Sequence, residues 1–545
     1  MTIRVGIICD VLDVPAWKSR MVEMLMQSKM ATIELVLVTG HSRPARRSRL
    51  HNRVAELLMR KDSIAYSQRS DSCALKDISE QAEFVEKIIY ADNFQNTSSI
   101  GFAEFEQEIE ARGIDLIVSL AQKACRDWVP ASAKFGLWYF EHSSEAHGES
   151  NGADVGLYEV LKRKSHVWSR LRVNHASLAN DGIIYESCSS VHPLSFRRTR
   201  DEHLWKVATF VTRSIRIARD VGPEQFLRRL RYFKSTIGSD GPPPTSHRLS
   251  GFIIVSFFQY SLWRLLRKIE RKFFAEQWNL LFDIDNNKFQ FRKFKPMQRS
   301  GDHLWADPHV IYRNSKYYVF FEEVLHKVGR GHISMLTITS DGQLSPARTV
   351  LERPYHLSYP FLFEWEDQLY IIPETAENRS VELFRCVQFP YDWQHDRTLM
   401  RDISAFDATL FPFENRWWMF ANVKEQDSTS SWDELHLFYA DRANSPDWTS
   451  HPCNPVISDV RYARPAGRIF EENGKYYRPS QDSSYRYGYG LNINEILELN
   501  TVAYRERPVH KFEPDWSSSI RGLHTYSSVG KLTVIDGILR KRRRH

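Results

Sequence analysis

The rhythm of apolar and polar positions changes near the middle of this chain. In residues 1–130, short apolar runs at 3–9 (IRVGIIC), 33–39 (IELVLVT) and 114–120 (IDLIVSL) alternate with segments of helical period at 16–28 and 102–112. Strands that alternate with helices predict a parallel sheet covered on both faces. Short strands and loops continue over 131–235, ending in helices at 203–220 and 223–233. Residues 234–250 hold Pro242, Pro243 and Pro244 in a row beside Gly and Ser, the composition of a linker. Residues 251–281 begin apolar and turn basic, with Arg264, Arg267, Lys268, Arg271 and Lys272. This segment reads either as a helix packed between two domains or as an amphipathic helix in a membrane interface.

Beyond residue 283 one pattern occurs five times, at 305–323, 358–378, 406–425, 463–483 and 522–537. A polar or aromatic residue leads, an apolar strand follows, then a polar turn, then an aromatic-rich strand. The lead residues Asp307, Tyr359, Asp407, Arg464 and His524 stand 48 to 60 residues apart. Hairpins repeating at this period predict a β-propeller of five blades. The expected organisation is therefore an α/β domain at 1–235, a Pro-rich linker with a basic amphipathic helix at 236–282, and an all-β propeller at 283–545.

Register turns the repeat into a site. Asp307 to Glu322, Tyr359 to Glu374 and Asp407 to Asn422 are each steps of 15 residues. Lead positions of all blades face one funnel in a propeller. Asp307, Glu374 and Asp407 are thus candidate catalytic residues, because glycosyl chemistry requires one carboxyl as acid and another as base or nucleophile. Glu322, Glu323, Arg464 and His524 are candidate substrate-binding residues. Arg464 suits an anionic part of a substrate and His524 a hydroxyl or a proton. The Tyr-, Ser- and Gly-rich run at 478–490 (RPSQDSSYRYGYG) reads as a rim loop.

Composition narrows the class. Fifteen Trp and 23 Tyr suit both propeller packing and sugar-stacking surfaces. The net charge of +7 is mild, with local basic runs at 41–49, 195–200 and 540–545. Zinc-finger, RNA-binding and helix-turn-helix signatures are absent, so nucleic acid is not an expected partner. Cys9, Cys73, Cys125, Cys188, Cys386 and Cys453 are scattered without CxxC or metal-ligand spacing. That scatter, the lack of a signal-peptide pattern at the start and the lack of an apolar run long enough to span a bilayer lead to an expected cytoplasmic location, with peripheral contact at the inner membrane face through 251–281 as the alternative. No metal site and no particular cofactor follow from the sequence; a GxGxxG does not follow the first strand.

Two resemblances sharpen these readings. The strand–helix order of the N-terminal half, with FGLWYFEHSS at 135–144 and NDGII at 180–184, resembles the formyltransferase family. That family moves a formyl group from a folate carrier to an amine on a Rossmann-like domain. His142 falls on the family's histidine and is a candidate substrate-binding residue. Phe140 stands where the family has asparagine, and Asn180 where it has aspartate, so the resemblance implies the fold without its complete catalytic motif. In the C-terminal half, WADP with an acidic centre resembles the five-bladed propellers of glycoside hydrolase family 43, which place a catalytic Asp where Asp307 stands. Tyr359 departs from that pattern. The longer string WADPHV, FFEE, GHIS, SYPFLFE, PET, DATLF, RPAG and GLHTYS resembles the N-terminal region of glucosamine inositolphosphorylceramide transferases over 278–540. In plant members a separate glycosyltransferase domain accompanies this region, so the resemblance implies a carbohydrate role and not the transfer step itself.

The functional expectation is a carbohydrate-active protein of surface-glycan or glycolipid assembly. As an enzyme it would be a glycosyltransferase or glycoside hydrolase acting on a sugar, sugar-phosphate or glycolipid. The alternatives are a non-catalytic glycan-binding propeller on a scaffold domain, and formyl transfer to an amino sugar.

Overall fold

A computed structural model describes residues 2–40, 53–54, 56–59, 70–78, 87–90, 100–121, 128, 132–143, 152–178, 181–231, 235, 237, 246–285, 287–297, 303–325 and 328–543. The basic run at 41–49, the three prolines and Asn180 lie outside the described residues. The chain divides into two compact units, Met1–Arg264 and Leu265–His545.

The first unit is built on a seven-stranded mixed sheet. Its strands lie in the order Lys87–Tyr90, Ala31–Val38, Ile3–Cys9, Leu116–Ser119, Leu137–His142, His166–Asn174 and Gly182–Ser190. The first five are mutually parallel and the last two antiparallel. Helices cover both faces because neighbouring strand residues point to opposite sides. Val5 and Ile7 join the core cluster of Trp17, Met21 and Leu25 from helix Ala16–Gln27. Ile8 and Ile117 instead join Phe105 and Ile109 from helix Ile100–Arg112. The single helix expected at 203–220 is two, Phe196–Val207 and Phe210–Val221. Ser195 caps the first by accepting from the Arg198 amide. The α/β expectation is met as a mixed sheet with helices.

The second unit is a five-bladed propeller. Blade 1 holds His303–Arg313, Lys316–Leu325, Gly331–Ile338 and Arg348–Leu351. Blade 2 holds Ser358–Trp365, Gln368–Glu374, Ser380–Gln388 and Asp392–Arg401. Blade 3 runs from Ala405–Phe413 through Arg416–Val423 and Leu435–Ala440 to Thr449–Ser450. Blade 4 is Phe470–Glu472, Lys475–Asp482, Gly490–Leu499 and Tyr504–Phe512.

Blade 5 joins the two ends of the unit. Phe274–Asp283 pairs antiparallel with Leu532–Arg542 along ten successive residue pairs. Sequence placed 274–281 in the amphipathic segment before the propeller; here the helix stops at Phe273 and the next residues are a propeller strand. The reason is pairing: the buried Leu280 and Leu281 lie opposite Asp536 and Ile535 of the last strand. Closing a ring with strands from both termini leaves no gap between the first and last blades.

A repeated bulge aims the lead residues. In blade 1 the inner pairing jumps from Ala306↔Glu322 to His309↔Phe320, so the two residues Asp307 and Pro308 stand against the single residue Phe321. The same jump occurs around Tyr359 and around Asp407. All three lead residues have left-handed backbone, with φ of 52° at Asp307, 40° at Tyr359 and 53° at Asp407. Such a bulge re-aims a side chain out of the strand alternation, at a cost of roughly 1–3 kcal/mol for a non-glycine residue.

Candidate functional site

The five lead residues meet through hydrogen bonds that run from blade to blade. Asp307 accepts from the Thr525 hydroxyl at 2.9 Å and the Tyr359 amide at 3.3 Å. The Tyr359 hydroxyl lies 2.8 Å from Thr409 Oγ1. Asp407 accepts from Arg464 Nε at 2.6 Å, from Arg464 Nη2 at 3.1 Å and from Gln481 Nε2 at 2.9 Å. Arg464 Nη2 also reaches Glu374 at 3.3 Å, and Nη1 the Ser431 carbonyl at 3.3 Å. The guanidinium fork is therefore turned towards protein carboxylates.

His524 closes the ring. Its Nδ1 lies 2.5 Å from Asp536 Oδ2 and its Nε2 3.7 Å from Asp307 Oδ1. Asp536 also accepts the backbone amides of Asp307, His524 and Thr525. Asp307, His524 and Asp536 each offer one ligand atom within 4.8 Å of the others, the one such set among the described residues. Both imidazole nitrogens face carboxylates, however, so the positive charge of the cluster is already supplied by an imidazolium. The arrangement is an acid–imidazolium–acid network.

Electrostatics separates the acids. Burial lifts the Asp307 carboxyl to about 7 against the pull of His524, with the Glu322, Asp407 and Asp536 charges adding to the lift. Glu374 is held well above the usual carboxylate range by burial and by the adjacent Asp407 charge, which outweigh Arg464. Burial opposes a charge on His524, yet Asp536 and Asp307 raise it to about 9. Asp536 stays below the ordinary carboxylate range because His524 and the amides outweigh its burial. Glu374 is the most open of the three acids, with 11% of its side chain exposed against 5% for Asp307 and 1% for Asp407.

Aromatic side chains stand beside this ring. Trp278 stacks on the His524 imidazole at 4.0 Å between centroids, and Tyr487 meets it edge-on at 5.3 Å. Tyr487 also lies 5.4 Å from Trp432 and 5.0 Å beneath the Arg464 guanidinium. Trp278, Trp432 and Tyr487 are all half-buried.

The remaining candidates fall outside the ring's centre. Glu322 pairs with His356 Nε2 at 3.1 Å. Glu323 accepts from Trp305 Nε1 at 2.9 Å and Ser334 Oγ at 2.6 Å, and also faces His303 and His332. Burial would raise the Glu323 carboxyl, but these four partners bring it below the usual range. His142 belongs to the first unit, at the end of strand Leu137–His142. It is buried, lies 2.5 Å from Ser169 Oγ, and is pushed down to about 3 by burial and Lys18. Asp181, in the NDGII segment, accepts from the Tyr139 hydroxyl.

Asp536, Gln481, Thr525, Trp278, Trp432 and Tyr487 complete the cluster without having been singled out by the repeat. Asp536 does carry a signal: it is an acid inside the apolar run LTVIDGIL, which demands a buried partner. Tyr487 lies within the loop read as a rim. Trp278 carries none, because its strand precedes the first repeat.

Comparison with known proteins bears on the second unit. The family model described as "Glucosamine inositolphosphorylceramide transferase 1, N-terminal" matches residues 266–525. Proteins named glucosamine inositolphosphorylceramide transferase 1 from Oryza sativa subsp. japonica and from Arabidopsis thaliana are 30% and 28% identical over 208 and 206 residues. Those alignments cover 38% and 37% of this chain and only 28% and 26% of the relatives' length. Among solved structures, a family 117 glycoside hydrolase from the marine bacterium Zobellia galactanivorans is 12% identical with a TM-score of 0.32, covering 48% of this chain and 90% of that one. The catalytic domain of the Coprinopsis cinerea GH62 α-L-arabinofuranosidase is also 12% identical with a TM-score of 0.32, covering 43% and 90%. The C-terminal region of this chain is a five-bladed propeller similar to the N-terminal region of glucosamine inositolphosphorylceramide transferases.

Proposed function

We propose that the propeller funnel binds a sugar or sugar-phosphate and performs glycosyl chemistry on it, within surface-glycan or glycolipid assembly. The observation that carries this reading is the division of labour among three repeat-related acids. Glu374 is held protonated beside Asp407, while Asp307 releases its proton near neutrality. Two carboxyls whose environments separate their protonation states provide an acid and a base. Glu374, the most open, donates to the leaving oxygen. Asp307 is the base or nucleophile. Asp407, held by Arg464 and Gln481, keeps Glu374 protonated by its charge. Trp278, Trp432 and Tyr487 offer apolar faces for the C–H side of a sugar ring. The relatives' name makes glucosamine-bearing glycolipids the first substrates to try.

The test is turnover of purified protein on aryl glycosides and nucleotide sugars. Asp307→Asn and Glu374→Gln are each expected to lower the rate by roughly 10²–10⁴-fold. The wild-type rate should rise as pH passes about 7, where Asp307 ionises, and Asp307→Asn should lose that limb. Wild-type rates in both variants would contradict the assignment. Glycan binding without turnover in any protein would support the second reading, a non-catalytic glycan-binding propeller.

The formyltransferase-type reading of 1–235 belongs to the first unit as a scaffold. The parallel strands of the sheet support the α/β part of that reading.

A further inference from the structure

The helix Ser246–Phe273 carries a row of exposed apolar side chains. Ile254, Val255, Phe258, Leu262, Leu265, Leu266, Ile269 and Phe273 are 44–70% exposed. At 3.6 residues per turn these positions fall within an arc of roughly 120°. The opposite side is packed: Ser256 and Tyr260 are buried, the Tyr260 hydroxyl donates to the Pro193 carbonyl at 2.9 Å, and Trp263 packs on the first unit's core. Packing within the first unit thus sets which side of residues 254–263 faces outward. A contiguous apolar stripe of this length is exceptional on a solvent-facing helix and marks an interaction surface.

Charge identifies the partner. Lys268, Arg271 and Lys272 are exposed on the last turns of the helix. The C-terminal basic run, 270 residues further along the chain, is brought to the same place. Arg542 pairs with Phe274, and the Arg543 amide donates to the Phe273 carbonyl at 2.8 Å. Arg542 and Arg543 are exposed as well. Within this cluster Glu270 is engaged by Arg267 at 2.8 Å and Arg540 at 3.0 Å. An apolar stripe ending in a cluster of cations is complementary to acyl chains below a layer of anionic headgroups. No helix among the described residues is long and apolar enough to cross a membrane.

We propose that this helix and the basic C-terminal strand together dock the protein on an anionic lipid surface, with the helix lying in the interface plane. The docking is independent of the chemistry assigned to the funnel. The apolar stripe inserts, and Lys268, Arg271, Lys272, Arg542 and Arg543 contact headgroup phosphates.

The test is co-sedimentation of the full-length protein with phosphatidylcholine vesicles and with vesicles doped with phosphatidylserine. Binding to the doped vesicles is expected, weakening as salt rises. Each of Lys268→Gln, Arg271→Gln and Arg542→Gln should weaken binding by roughly fivefold, the equivalent of about 1 kcal/mol per charge at the surface. Phe258→Glu should abolish it while leaving the melting temperature unchanged, since the side chain touches solvent. Should Phe258→Glu misfold, the charge variants and the salt series still decide. Absence of binding to doped vesicles, or binding indifferent to all these substitutions, would overturn the proposal. So would a stripe-dependent dimer in sedimentation velocity with no vesicle binding, which would make a second copy the occupant.

Discussion

Replacing Arg464 by methionine lowers the stability of the propeller by about 3–5 kcal/mol, as removal of one member of a buried ion pair does. Arg464 is 5% exposed, and its fork holds both oxygens of Asp407, which is 1% exposed. Methionine fills much of the volume but leaves the Asp407 carboxylate without a cation, with the neutral Gln481 amide at 2.9 Å and the adjacent Glu374 carboxyl as its side-chain partners. A buried ion without a counter-ion is the expensive state, whereas the pair itself contributes little net stability. Adding Asp407→Asn to Arg464→Met should therefore restore a large part of the loss. Urea denaturation of the wild type, both single variants and the double variant measures this as a coupling energy. Additive losses, or a loss below about 1 kcal/mol for Arg464→Met, would show that the fork is not the counter-ion described.

The second large effect is a fall in stability on the alkaline side. An imidazole titrates near 6.5 when unperturbed, and His524 is raised to about 9 in the fold. A group raised on folding contributes stability that is fully present below its unfolded value and is lost as pH climbs through its folded value. The contribution at stake is on the order of 3 kcal/mol. Asp307 acts in the same direction at lower pH: an acid raised from 3.8 to about 7 loses stability as pH rises across that interval. Asp536, lowered by His524, acts oppositely and protects only above its ordinary value of 3.8. Denaturation midpoints of the wild type should thus be lower near about pH 10 than near about pH 6, and His524→Gln should flatten that difference while lowering stability at pH 6. An unchanged pH dependence in His524→Gln would remove His524 as its source.

Much of this architecture was legible in the chain because the hairpin repeat and its 15-residue register are carried by residue type. Asp307, Glu374, Asp407, Arg464 and His524 converge because equivalent positions in successive blades are equivalent in space. The bulges that aim three of them were not legible. Asp307 and Asp407 suit a left-handed backbone, but Tyr359 at φ 40° does not announce one. The ring-closing strand Phe274–Asp283 was hidden for a different reason. Its partner Leu532–Arg542 lies at the other end of the unit, and an apolar run continuous with a helix has no local mark of where pairing begins. The docking helix shows the same limit. The segment 251–258 is apolar all round, so only packing of Ser256 and Tyr260 decides which side remains outside. The part Arg464 plays also depended on distance. Sequence allowed its fork to face a substrate, and the fold turns it to Asp407 and Glu374.

Where a sugar sits decides whether the funnel is the site of glycosyl chemistry. A crystal structure of the protein soaked with a saccharide drawn from the turnover or binding screen measures that position. The expected result is a ring in the propeller funnel, one face against Trp278, Trp432 or Tyr487, with an oxygen in hydrogen-bond reach of Glu374 and another facing Asp307. A saccharide bound elsewhere on the propeller, with the funnel empty and its ring of ion pairs closed, would contradict it.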